Sequence, residues 1–165
     1  MTESSKAPLT LPTVQSTIQV RFSDTDAMGH ISSGSYAAFA EVGRAAFFEA
    51  IPEAREEIPW FVLRHLEMEF ISEARFGQSI TLSTRCGKIT EKTIRFDQVV
   101  RADGKVACEL RVVHVAFDPK TRKAMRVPTH WRIEEEGDAG SIRGGRCSAG
   151  PQGGPHRTRG VAQLL

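Results

Sequence analysis

Two carboxylates two residues apart, Asp24 and Asp26, lie with Gly29 and His30 in the run Arg21-Phe22-Ser23-Asp24-Thr25-Asp26-Ala27-Met28-Gly29-His30-Ile31-Ser32-Ser33-Gly34-Ser35-Tyr36. A carboxylate facing a helix start can act as nucleophile or general base, while unpaired backbone N–H groups there polarise a carbonyl. The plain alternative is a polar turn in which Asp side chains bond their own backbone. His30 offers a second base, or a residue that caps or packs beside a helix.

The flanking residues supply the helix start. Before the run, Ile18, Val20 and Phe22 alternate with Gln19, Arg21 and Ser23, the period-2 pattern of a half-buried strand over 14–22. After it, Tyr36, Phe39, Ala40, Gly43, Phe47 and Ala50 fall at i, i+3, i+4, i+7, i+11 and i+14, one face of a helix. Ser32 and Ser33 are good N-cap types and Pro52 marks the far end, which predicts a helix of roughly 17 residues.

Asp-x-Asp-x-x-Gly ahead of a capped helix with a Tyr at its start resembles the 4-hydroxybenzoyl-CoA thioesterase family of hotdog-fold acyl-CoA thioesterases, over about residues 14–133. The resemblance implies that Asp26 is catalytic, that Asp24 shapes the loop, and that the Ser33 backbone amide polarises the thioester carbonyl. It implies substrate-binding positions at Gly29, His30 and Tyr36. It also puts basic residues on the phosphates of coenzyme A, here Lys88 and Lys92 with Thr93. Many relatives carry a pair of Asn where this chain has Ser32 and Ser33, a departure that bears on rate and substrate preference more than on fold.

Downstream, 60–72 reads as a long strand with Arg64, Leu66, Met68 and Phe70 on one face, and 78–86 follows with Ile80, Leu82 and Cys86 inward. Segments 93–101 and 105–117 read as a hairpin joined at Ala102-Asp103-Gly104, and Gly87 to Glu91 reads as a turn. One helix followed by consecutive antiparallel strands gives an α+β layer, and the resemblance makes it a hotdog: about five strands wrapped around one long helix. The last strand is apolar on both faces near its end, which suggests a second surface packed against it. Hotdog thioesterases generally build their sites between subunits, so a homodimer or homotetramer is expected.

Of the 165 residues, 1–12 are expected to be a disordered N-terminal segment, 13–136 the folded domain and 137–165 a disordered tail. The tail holds eight of the chain's 14 Gly and four Arg against one Asp, so it carries +3 while 1–136 carry 18 Lys and Arg against 19 Asp and Glu. Four Arg without interleaved aromatics make only a weak nucleic-acid signal, so a tail that engages RNA is a lesser alternative and no nucleic-acid partner is expected. The three Cys show no metal or disulfide spacing, and Cys86 and Cys108 are expected in the core. The chain has no Gly-x-Ser-x-Gly, no phosphate-loop motif, no His-Glu-x-x-His and no apolar run of about 18 residues, so no metal, cofactor or membrane is expected and the location is cytoplasmic.

The activity expected is hydrolysis of an acyl-CoA to a free acid and coenzyme A, which is substrate rather than cofactor. A hotdog enoyl-CoA hydratase commonly needs Asp-x-Asn-Pro-x-His; here Asp24 to His30 is one residue too long and both Asn and Pro are missing. A hotdog dimer that binds acyl-CoA without turnover is the non-enzymatic alternative.

Overall fold

In the computed structural model, residues 6–53 and 55–133 are described. In chain order these are β1 (Leu9–Thr10), β2 (Val14–Ile18), α1 (Ser33–Glu49), β3 (Trp60–Phe70), β4 (Ile80–Ile89), β5 (Thr93–Ala102), β6 (Lys105–Asp118), β7 (Lys123–Ala124) and β8 (Trp131–Arg132). Five strands form one antiparallel sheet in the order β2-β4-β5-β6-β3, with short β7 hydrogen-bonded to β6. The β5–β6 turn falls where the Asp-Gly pair placed it, with Asp103 and Gly104 both at positive φ, 49° and 81°.

Helix α1 has the 17 residues its apolar spacing predicts, and it lies against β4, β2 and β5. Phe39, Ala40 and Phe47 on its inner face are at most 5% exposed and meet Leu82, Phe96 and Val100, all fully buried. Gly43 permits the close approach, since a Cβ there would stand 2.5 Å from Leu82 Cδ2 and from Thr84 Oγ1. Cys86 and Cys108 are core residues as expected, and burial pushes both thiols up to about 11.

Four local expectations are corrected. Part of the segment 1–12 is structured: β1 pairs in parallel with β8, and Leu11 is buried at 2% exposure. Leu9 and Leu11 are too short a pattern to announce a strand whose partner lies some 120 residues away. Next, β2 stops at Ile18, and Phe22 begins a 3-10 turn (Phe22–Asp24) that leaves its ring 80% exposed. A bulge between Leu63 and His65 makes Leu63, not Arg64, the residue paired with buried His114. A second bulge between Cys86 and Lys88 keeps Gly87 inside β4, so the turn comes later, closed by Thr90 N donating to Thr93 O over 2.9 Å. Residues 134–165, including the whole expected tail, lie outside the described residues.

In the order β2-β4-β5-β6-β3, β3 is an 11-residue edge strand among the described residues, on the side of the sheet away from α1's neighbours β2 and β4. Trp60, Val62, Leu63 and Phe70 along it are each more than 40% exposed. An edge of that length and apolarity is a template for another strand.

Candidate active site

Asp24 is the root of the loop. Its carboxylate is 4% exposed by residue; Oδ2 accepts from the Arg21 backbone N–H at 2.7 Å, and Oδ1 from Arg21 Nη2 at 2.9 Å. The Arg21 side chain, then its backbone N–H, hold this carboxyl below its ordinary range against the opposing effect of burial. The Asp24 carbonyl accepts from Ser32 N–H and from Ser35 Oγ, both at 2.9 Å. One residue thus ties the strand side of the loop to the helix start, the loop-shaping role expected of it.

Asp26 sits at the loop tip with its side chain 41% exposed. Its Oδ1 accepts from Met28 N–H at 2.9 Å and His30 N–H at 3.0 Å, the Asx-type geometry of the plain alternative. That leaves Oδ2 outside the turn. Gly29 makes the turn possible at φ +77°, its N–H donating to the Asp26 carbonyl at 3.0 Å. No Cβ clash bars a larger residue there, so the glycine serves backbone conformation rather than space.

Ser32 is the N-cap residue by position, but its hydroxyl bonds Ser35 Oγ at 2.9 Å and makes no capping bond to the backbone. The Ser32 carbonyl accepts from Ser35 and Tyr36 N–H, and Ser33 is the first helical residue. Among the described residues its N–H has no hydrogen-bond partner, so an orphan donor of the helix start points out of the first turn.

Tyr36 is not a surface residue of the loop. It is 3% exposed and packs its ring edge-on against Phe70 at 5.4 Å and against Phe39 at 6.4 Å, and burial, then the Cys108 thiol, raises its hydroxyl pKa.

The basic residues expected on coenzyme A lie elsewhere. The Asp26 loop follows Ile18, which pairs with Ile80 at one end of β4, whereas Lys88, Lys92 and Thr93 surround the other end, where Ile89 pairs with Ile94. Ten strand residues separate those ends, about 30 Å at ~3.3 Å per residue. Within one subunit the two sets are not brought together. Trp60, at the start of β3, shares the lysine end: its partner Phe117 neighbours Ala116, whose N–H donates to the Lys92 carbonyl at 2.9 Å.

The loop also has neighbours that sequence alone did not single out. His30 pairs by backbone with Arg75 on the segment after β3, and its Nε2 lies 3.1 Å from Glu73 Oε2. Glu73 is held in turn by Arg75. Behind α1, buried Arg44 donates from Nη1 to Gln98 Oε1 at 2.9 Å. Arg44 falls four and eight residues after Ala40 and Tyr36, so helical spacing marks it as inward-facing. Glu73 had no such signal, because a nonlocal bridge places it. Among the described residues no three His, Cys, Asp or Glu are grouped to hold a metal ion.

Residues 20–134 match the profile of the thioesterase-like superfamily. The acyl-CoA thioester hydrolase YbgC of Escherichia coli O6:H1 is 27% identical over 116 residues, covering 67% of this chain and 87% of that protein. Among solved structures, a thioesterase from Thermus thermophilus complexed with coenzyme A and Zn superposes with TM-score 0.63 at 21% identity, covering 70% of this chain and 86% of that one. The DHNA-CoA thioesterase of Staphylococcus aureus gives TM-score 0.63 at 18% identity, with 69% and 80% covered. One long helix wrapped by a five-stranded antiparallel sheet is the hotdog fold, and with the superfamily profile matching residues 20–134, which hold the helix and four of the five strands, the chain belongs to the thioesterase-like superfamily.

Proposed function

We propose that the protein hydrolyses an acyl-CoA thioester to a free acid and coenzyme A, with Asp26 as the carboxylate of the reaction and the Ser33 N–H as donor to the carbonyl oxygen. The observation that carries this reading is the division of labour between the two acids. Asp24 is spent on Arg21, whereas Asp26 keeps Oδ2 outside the turn that fixes its Oδ1.

The modest set of groups suits the bond. A thiol has a pKa of about 8.5, so a thiolate departs without the strong acid assistance that an amine or alkoxide needs. One carboxylate to attack or to activate water, and one N–H at the positive end of a 17-residue helix, address the two demanding events, attack and oxyanion formation.

The site is completed by a second copy of the chain. Among the described residues the outer edge of β3 is long and pairs with no strand, with Trp60, Val62, Leu63 and Phe70 exposed along it, and antiparallel pairing about a two-fold axis sets its Trp60 end beside the Phe70 end of the other copy. Lys88 and Lys92 of the partner subunit then approach the Asp26 loop that they cannot reach within their own chain. Coenzyme A is the substrate's carrier, and the reaction belongs to the cytoplasm, where that carrier is at hand.

The test is thiol release across short, medium, long and aromatic acyl-CoAs, with an enoyl-CoA included. Release from at least one saturated or aromatic thioester is expected. Hydration of the enoyl-CoA with no thiol released from any substrate, or binding without turnover across the panel, would contradict the assignment.

A further inference from the structure

From Asp26 a chain of titratable side chains runs outward through three groups that the reaction outlined above does not use, His30, Glu73 and Arg75. Arg75 grips Glu73 through Nε and Nη2, both at 3.2 Å. Glu73 Oε2 stands 3.1 Å from His30 Nε2, and His30 Nδ1 stands 3.9 Å from Asp26 Oδ2. The four side chains come from two segments joined by the His30–Arg75 bridge and by Phe76 N–H donating to the Gly29 carbonyl at 3.1 Å. The imidazole is therefore held on both sides: its backbone is pinned by the Asp26 turn and by Arg75, and its ring lies between two carboxylates.

We propose that His30, oriented by Glu73, relays the proton that Asp26 collects, a role that rests on the thioesterase reading. Both neighbours are carboxylates and only accept, so the nearer one decides: Glu73 at 3.1 Å from Nε2, against Asp26 at 3.9 Å from Nδ1, places the ring proton on Nε2 and leaves the Nδ1 lone pair on the Asp26 side. The Nε2 atom is buried and its contact with Glu73 is close but off the line of a good hydrogen bond; Glu73 is 60% exposed, and a small turn of its carboxylate within the Arg75 contact brings it into line. Arg75 first, and His30 to a lesser degree, keep the Glu73 carboxyl below its ordinary range, so the orienting charge is present at neutral pH.

The proton count closes. Water adds to the carbonyl carbon as one of its protons goes to Asp26 Oδ2, and the carbon–sulfur bond breaks with its electron pair going to sulfur. The Asp26 proton then passes to His30 Nδ1, and the same nitrogen hands it to the departing thiolate, which regenerates the Nε2–H imidazole and the Asp26 carboxylate. The second water proton stays on the carboxylic acid. The separation of 3.9 Å is too long for a hydrogen bond while Asp26 is ionised, and a small turn of either side chain shortens it once Oδ2 carries a proton. His30 thus takes its proton from Asp26 and hands it to sulfur, a catalytic residue of the relay, and Glu73 is the residue that positions it.

Three measurements test it. Nitrogen-15 NMR of the neutral His30 ring in the full-length protein should show the Nε2–H tautomer, and Glu73→Ala should shift population to Nδ1–H. His30→Ala should lower kcat at least ~10-fold, the low end of acid–base contributions, with KM within about twofold, and added imidazole should restore part of the loss. Glu73→Asp should recover activity that Glu73→Ala loses. An Nδ1–H tautomer in the unaltered protein, or an unchanged kcat in a folded His30→Ala variant, overturns the relay alone. A protein that hydrolyses no acyl-CoA while showing the Nε2–H tautomer overturns the thioesterase reading, and the relay with it.

Discussion

Arg44 donates from Nη1 to Gln98 Oε1 over 2.9 Å in a region where both residues are at most 7% exposed. The same Gln98 donates from Nε2 to the Ala40 carbonyl and to Thr84 Oγ1, both at 2.9 Å. One amide thereby stitches α1 to β4 and β5. Arg44's ion-pair partner, Glu41, is 4.0 Å away and 72% exposed. Gln98→Leu leaves a buried guanidinium and a buried hydroxyl short of partners, and should cost about 2–4 kcal/mol in urea unfolding.

Gly43→Ala tests the close approach on the same helix. The added methyl meets Leu82 and Thr84 side chains at 2.5 Å and Gln98 Nε2 at 3.0 Å, so a loss of roughly 1–3 kcal/mol is expected despite the better helix propensity of Ala. Gly34→Ala, with nothing within 4 Å, is the control and should be neutral or slightly stabilising.

The contrast between α1 and the sheet shows what a sequence makes legible. Tyr36, Phe39, Ala40, Gly43 and Phe47 report a helix because their spacing is local, and Asp103-Gly104 reports a hairpin because the turn needs positive φ. The bulges at Arg64 and Gly87 depend on the strand opposite, and they moved the register at Arg64 and the position of the turn after Gly87. The resemblance implied different roles for Asp24 and Asp26, whereas the Arg21 contacts that tie up the Asp24 carboxylate follow from the fold of the loop. That Lys92 stands about 30 Å from the loop was hidden, because it follows from the length and direction of β4.

His114 should leave a mark on stability against pH. Burial first, and the Arg44 charge second, lower its pKa from 6.5 to about 4. The unfolded chain takes up a proton at higher pH than the native state does. Stability from this group is therefore complete above 6.5 and lost as pH falls towards about 4. His114→Leu should flatten that decline in denaturant midpoints measured across the window; an unchanged slope would show that the ring is not held neutral.

If Lys92 serves the other subunit's site, complementation follows. Lys92→Ala should raise KM for acyl-CoA with little change in kcat. Re-associated equal mixtures of Lys92→Ala and Asp26→Asn chains should regain wild-type KM in about a quarter of sites, because half the dimers are mixed and each has one intact site. Mixtures no better than the separate variants would place Lys92 outside the site.

The central claim is that Asp26 performs the chemistry while its neighbour Asp24 only builds the loop. Asn at position 26 keeps an oxygen to accept from Met28 and His30 N–H and removes the charge, so the turn should persist. The decisive measurement is kcat for thiol release by Asp26→Asn, alongside its unfolding midpoint. A fall of at least ~100-fold with an unchanged midpoint is the predicted result. Activity within a few-fold of wild type in that folded variant would contradict the account.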